Sequence, residues 1–176
     1  MPLPLKIADL IPALGLIPHP EGGFFVETYR SGSLPMTTKG QTGLDCNEPQ
    51  KNLVSAHGRG KNREDGDDRR NALTSIYWVP THASPNLLFA KNESDHIHYY
   101  QGGCAFKYFL FNPKNGEMKT ETLGPDLHKG QKMQIAVPGE IWKCGKLLKD
   151  EDCNGYEYTL IGEAVAPGEK SKNILL

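Results

Sequence analysis

The chain has 176 residues, with Lys+Arg 20 against Asp+Glu 21 and a formal charge of −1. That length accommodates one domain with a sizeable core, and the charge balance lacks the basic surplus of a nucleic-acid binder. No apolar run reaches the ~20 residues of a membrane-spanning helix. The start, MPLPLKIADLIPALGL, carries one lysine and a broken apolar stretch, unlike a secretion signal, so the expected location is cytoplasmic. Cys46, Cys104, Cys144 and Cys153 form no CxxC, and their spacing to histidines resembles no zinc site. Free thiols are the default expectation in such a chain.

In chain order, Ile7, Leu10, Ile11 and Leu14 recur at helical spacing, with Pro12 keeping the helix short or kinked and Gly15 ending it. The period then changes to two. In GGFFVETYRS, alternation places Phe24, Val26, Thr28 and Arg30 on one face and Phe25, Glu27, Tyr29 and Ser31 on the other. A direct Glu27–Arg30 pair is thus disfavoured. The stretch around 35–70 is irregular and rich in both charge signs, and reads as a mobile surface loop. From Ala72 onward come short strands with turns between: ALTSIYWV, NLLFAKN, HIHYYQ, AFKYFLFNP, MKTETLG, KMQIAVP, IWKCGKLL and GYEYTLIGEAVAP. This spacing predicts one all-β domain over 1–176, a barrel or jelly roll with a short N-terminal helix.

The segments LGLIPHPEGGFFVETYRS, LTSIYWV, IHYYQGG, TLGPDLHKGQKMQIAVPGEIWKCGKLL and YTLIGEAVAPG together resemble an uncharacterised branch of the RmlC-like cupins, the one carrying PHPEGG. The resemblance covers nearly the whole chain except about Pro35 to Arg70. It implies a double-stranded β-helix, two sheets rolled into a cup with ligand entering one end, and a homodimer. The superfamily spans epimerases, isomerases, dioxygenases and storage proteins, so fold alone does not set function.

Many cupins hold a metal through two histidines and a glutamate on one hairpin, plus a later histidine. Here His96 and His98 share a strand face and could reach one ion. Gln101 stands near the expected carboxylate, and Trp142, which has no lone pair to give, stands where the later histidine is expected. The usual ligand set is incomplete, so the expectation is that no cofactor is required. A divalent metal at His96 and His98 is the weaker option.

Without a metal, the cup would be an apolar pocket with a few polar groups. Its candidate walls are Phe24 or Phe25, Tyr77, Phe89, Tyr99 or Tyr100, and Trp142. Its candidate polar groups are Glu27, Tyr29, Arg30, Lys91, His98, Gln134 and Lys143; of Trp142 and Lys143, neighbours on one strand, only one can face inward. Aromatic faces suit sugar C–H faces, and Arg or Lys suits phosphate. The strand PEGGFFVETY is similar to the opening strand of sugar-nucleotide epimerases in this superfamily, which implies that Glu27 faces ligand or interface. Proton abstraction needs a base and a proton partner, and His98 with Tyr29 or Tyr99, beside Glu27, fits those roles. His19, between two prolines, is expected to organise its turn through a backbone hydrogen bond. The leading expectation is an isomerase or epimerase of a phosphorylated or nucleotide-linked sugar. The alternatives are a non-catalytic small-metabolite-binding cupin and a metal-dependent dioxygenase.

Overall fold

The apolar stripe Ile7, Leu10, Ile11 and Leu14 forms α1 (Ile7–Leu14), which Gly15 ends in the left-handed conformation at φ 67°. The helix packs on one face of a sheet, against Leu16, Val79, Tyr158, Phe24, Val26 and Tyr77. Residues 5–34, 70–84, 89–148, 153 and 155–168 are described by the structure, a computed structural model. Apart from Arg70, the loop expected around 35–70 lies outside the described residues. Among the described residues no helix is long and apolar enough to cross a membrane.

The remaining elements are β1 (Ile17–Pro18), β2 (Phe24–Arg30), β3 (Ser33–Leu34), β4 (Arg70–Asn71), β5 (Thr74–Val79), β6 (Ala90–Lys91), β7 (Asp95–Gly103), β8 (Phe106–Phe111), β9 (Met118–Leu123), a 3-10 turn (Leu127–Lys129), β10 (Gln134–Val137), β11 (Trp142–Leu147) and β12 (Thr159–Ala166). One sheet runs β1-β2-β5-β12-β7-β10 and the other β6-β11-β8-β9, with β3 and β4 paired apart. The strand pairs within these sheets are antiparallel. This is the expected all-β jelly roll, a double-stranded β-helix with one short helix in front.

Alternation decides the interior. Phe106, Tyr108 and Leu110 on β8, Ile135 and Val137 on β10, and Ile161 and Val165 on β12 are buried, each separated by a more exposed neighbour or by an outward-facing one. All of these but Val165 close a core with Trp78, Leu123 and Leu147. Trp78 and Tyr108 both meet Phe106 edge-to-face, at 5.3 and 4.9 Å between ring centroids. The Trp78 indole N–H donates to Gly22 O at 3.0 Å, fastening the PEGG turn to β5. Gly23, at φ 72°, lies so close to β5 that a Cβ there would stand 2.4 Å from Val79 O.

One cysteine expectation is overturned. Cys104 and Cys153 are 49 residues apart in sequence, yet their sulfurs meet as a disulfide, with Cα atoms 4.5 Å apart. The β7–β8 turn and the β11–β12 connection converge at one end of the barrel, which sequence spacing could not reveal. Cys144 is free, and Cys46 lies outside the described residues.

Phe106 is fully buried between Trp78 and Tyr108, so Phe106→Ala should cost about 3–5 kcal/mol of unfolding free energy. Ile17→Ala, on a residue 55% exposed, should change it by less than about 0.5 kcal/mol. Chemical denaturation of the two variants measures the contrast; equal costs would contradict this placement of the core.

Candidate functional site

The inward rows of β7, β11 and β12 are not apolar throughout. His96 and His98 on β7, Lys143 on β11 and Glu163 on β12 are all buried. They line a cavity of about 300 Å³ with Phe25, Glu27 and Arg30 from β2, Thr74, Ile76 and Trp78 from β5, and Tyr108 from β8. His19, Pro20 and Glu21 of the PEGG turn, with Asn92 and Val165, complete the lining.

Glu163 is the centre of the charge network. One carboxylate oxygen meets His96 Nδ1 in a short contact and lies 3.5 Å from Lys143 Nζ. The other lies 4.0 Å from His98 Nδ1. Burial alone would raise the Glu163 carboxyl, but Lys143, His98 and His96 together hold it well below the usual carboxylate range. An ionised Glu163 only accepts, so the ring proton of His96 is assigned to Nδ1, donated to the carboxylate. Lys143 Nζ stands 3.1 Å from that same nitrogen. It cannot donate to a protonated nitrogen, so its hydrogen bond goes to Glu163 and its charge simply lies against the ring.

The Nε2 atoms of His96 and His98 are buried without a hydrogen-bond partner among the described residues. By the assignment above, His96 Nε2 carries a lone pair. His98 is pushed down to about 3, chiefly by burial; Glu163 opposes this, while Lys143 and His96 add to it. Its imidazole is therefore uncharged at neutral pH. The Tyr108 hydroxyl lies 3.2 Å from His98 Nδ1, and burial, with Glu163 beside it, raises that phenol well above its ordinary value. At the turn, the Glu21 N–H donates to His19 Nδ1 at 3.0 Å, the backbone role expected of His19. Burial lowers His19 also, opposed by Glu163 and reinforced by Lys143.

His96, His98 and Glu163 offer three ligand atoms within 4.8 Å of one another. The orphaned Nε2 atoms invite a ligand, but Glu163 faces the Nδ1 side of both rings, where it orients the histidines. The space beside Glu163 already holds the Lys143 ammonium. A divalent cation there would face a fixed positive charge. Lys143 beside Glu163 therefore opposes a divalent cation in the space that the three ligand atoms share.

Several expected site residues come together here: Phe25, Glu27, Arg30, His96 and His98 line the cavity. The β2 faces need correction. A β-bulge between Glu27 and Tyr29 moves Arg30 onto the side of Glu27. Arg30 Nε then donates to Glu27 Oε1 at 2.9 Å and Nη1 to Asn71 Oδ1 at 3.0 Å, so the disfavoured pair forms. The same bulge turns Tyr29 outward, 44% exposed. Of the two neighbours on β11, Lys143 faces inward, not Trp142; Trp142 lies under Lys91, whose Nζ is 5.9 Å from the ring centroid.

Four more candidates lie outside the cavity, along with Lys91. Lys91 pairs with Glu140 at 2.6 Å. Tyr77 sits on the β5 face that α1 covers. Phe89 is 50% exposed. Tyr100 packs on the barrel core and donates to Gly103 O at 2.6 Å. Gln134 is exposed on β10, opposite Tyr99. Glu163, Tyr108 and Glu21 were missed. Glu163 had a visible signal: in TLIGEAVA it shares parity with Ile161 and Val165, a carboxylate in an otherwise apolar inward row.

The sequence model of the Cupin_5 family, described as Cupin superfamily (DUF985), matches residues 8–174. The chain belongs to that family. It is 34% identical over 166 residues to the uncharacterized protein YML079W of Saccharomyces cerevisiae, a span of 94% of this chain and 72% of the yeast protein. Its fold is similar to that of a hypothetical protein from Leishmania major, with a TM-score of 0.71 at 21% identity over 96% of this chain and 85% of the other. Protein SO0799 from Shewanella oneidensis gives a TM-score of 0.68 at 24% identity over 98% and 85%. At those identities the likeness speaks for the fold alone.

Two outcomes follow from the network. Lys143→Met should cost about 3–5 kcal/mol, because it strands a buried carboxylate, whereas adding Glu163→Gln should recover part of the loss; denaturant unfolding of the two single variants and the double reads this coupling, and strict additivity would refute it. The second concerns acid. His98 and Glu163 both titrate lower folded than unfolded, so the unfolded chain binds more protons as pH falls, and stability drops with acid. His98 acts first, from about 6.5 down towards about 3, with one proton's slope of about 1.4 kcal/mol per pH unit. His98→Gln should remove that slope between about pH 6.5 and pH 4.5, leaving the Glu163 loss at lower pH; thermal melts across pH measure it.

Proposed function

We propose that the cup is the active site of a small-molecule enzyme that moves a proton on a carbohydrate-type substrate, an isomerase or epimerase of a phosphorylated or nucleotide-linked sugar. The observation that supports it is the Lys143–Glu163–His96 set in the wall of the cavity, with His96 Nε2 unpartnered among the described residues. Removing a proton from carbon next to a carbonyl needs a base and a positive group for the charge that develops on oxygen. His96, its Nδ1–H held by Glu163, presents the lone pair of Nε2 as base. Lys143 supplies the positive charge. His98 is a poor base at a pKa of about 3; its role is that of an uncharged hydrogen-bonding imidazole, backed by Tyr108. Phe25, Ile76 and Trp78 offer apolar faces to the ring, and Arg30 offers a guanidinium to an anionic group. In this reading Lys143 supplies the positive charge that a metal would otherwise bring.

A second reading has one observation in its favour. Lys143 is already held by Glu163, an arrangement equally suited to a static site that binds a small metabolite without turning it over. Exchange of carbon-bound hydrogen in heavy water, followed by NMR over a panel of sugar phosphates and nucleotide sugars, separates the two. The enzyme reading expects exchange on at least one member, falling by about 10²–10⁴ in His96→Gln and by about 10²–10³ in Lys143→Met. Saturable binding without exchange in any member would establish the second reading and overturn the first. Neither binding nor exchange across the panel would overturn both.

A further inference from the structure

Away from the cup, three groups with affinity for soft metals meet where β5 and β7 finish and β12 begins. Cys104 follows β7, Cys153 lies in the β11–β12 connection and His82 follows β5. Their ligand atoms all lie within 4.8 Å of one another. We propose that Cys104, Cys153 and His82 form a redox-gated site for a thiophilic divalent cation, of which Zn²⁺ is the type: the dithiol form binds the cation, and oxidation to the disulfide releases it.

The backbone holds the three ligand-bearing segments together without any help from a metal. Cys104 N–H donates to Tyr158 O at 2.8 Å, His82 N–H to Glu157 O at 3.0 Å, Tyr156 N–H to Cys153 O at 2.8 Å and Thr159 N–H to Pro80 O at 3.1 Å. The 156–159 segment is the common frame. Such a frame leaves little ordering to be done when a cation arrives.

The chemistry of the donors fits. Two thiolates and an imidazole are the ligands Zn²⁺ takes, and three protein ligands leave the fourth tetrahedral position to water. His82 Nε2 faces Cys104 Sγ at 3.9 Å. Its Nδ1 is buried with no partner among the described residues, so among them the imidazole has no hydrogen-bonding duty that competes with a cation. Both cysteines are buried, whereas His82 is only half-buried. In the disulfide shown here the sulfurs carry no thiolate charge, and the same atoms cannot serve as anionic ligands.

The cycle balances. Binding exchanges two thiol protons for Zn²⁺. Release needs a two-electron oxidant, a low-molecular-weight disulfide. The two zinc-bound thiolates give up one electron each and join as Cys104–Cys153. The small disulfide takes those electrons and two protons and leaves as two thiols, and Zn²⁺ is set free. In either state the β11–β12 connection is tied to the end of β7, by a cation or by a covalent bond.

The test uses the full chain with Cys46→Ser and Cys144→Ser, reduced with a sulfur-free phosphine and titrated with Co²⁺. The proposal expects a tetrahedral cobalt spectrum with thiolate-to-cobalt charge-transfer absorption, bleached by Zn²⁺. Glutathione disulfide should abolish it as two titratable thiols disappear. Cys153→Ser and His82→Ala should lose the charge-transfer band, His82→Cys should keep it, and Glu163→Gln in the cup should leave it unchanged; circular dichroism checks that each variant is folded. A pair that stays oxidised in the folded reduced sample, a reduced protein without the band, a band that survives Cys153→Ser, or one lost in Glu163→Gln would each overturn the proposal.

Discussion

The buried pair of Lys143 and Glu163 is the constraint on which the rest of this structure turns. The two residues come from different sheets, β11 in one and β12 in the other. Their contact spans the interior of the barrel. Two unit charges at such a separation attract by about 4 kcal/mol at an effective dielectric of about 20, while taking each ion out of water costs several kcal/mol. Attraction alone does not offset that cost. The added donors do part of the work: His96 bonds to the carboxylate and His98 lies nearby. An apolar pair of similar volume would stabilise the barrel as well or better. Stability alone therefore does not account for the charged set in the interior of this fold.

The pair also sets the state of everything around it. With Glu163 ionised, His96 must present its proton to the carboxylate, which frees the opposite nitrogen for chemistry. With Lys143 adding its charge to full burial, His98 stays neutral at the pH where an exposed histidine begins to titrate. Two histidines two residues apart on one strand thereby acquire different states, one oriented by a carboxylate and the other an uncharged imidazole beside Tyr108. The difference comes from a strand 65 residues further along the chain.

What could be read in advance follows the range of the interactions. Short strands and their turns were legible because a period of two is a local property, but which face of each strand turns inward was not. His96 and His98 were legible for the same reason, since i and i+2 on a strand always share a face. The β2 faces were misread because a bulge is set by how β2 pairs with β5, and one extra residue reverses the parity of all that follows. The choice between Trp142 and Lys143 depended on the register of β11 against β8, and hydrophobicity pointed to the wrong one. Glu163 was passed over because a carboxylate is normally placed outside, although the apolar parity of its neighbours marked it as inward. Cys104, Cys153 and His82 share no spacing that a local motif could catch; only the convergence of three connections makes them neighbours.

A barrel interior polar at one level and apolar at another bears on how a ligand can be held. Phe106, Leu123, Ile135 and Trp78 close one part of the interior with rings and aliphatic chains packed to full burial, and such packing yields little. The charged set therefore sits against a rigid floor, and β7 and β12, paired along eight positions, fix two of its walls. A positive group on a rigid floor stabilises charge that develops on a substrate oxygen without first having to move, and that is the condition under which an electrostatic contribution to catalysis becomes large. Lys143 meets it better than a rim arginine does: Arg30 sits on an edge-side strand, shares its charge with Glu27 and is partly open to water, so its pull is screened where that of Lys143 is not. Under the proposed function, the order of the two cations, one deep and unscreened, the other shallow and paired, would put the reacting end of a ligand at the bottom of the cup and its anionic tail at the rim.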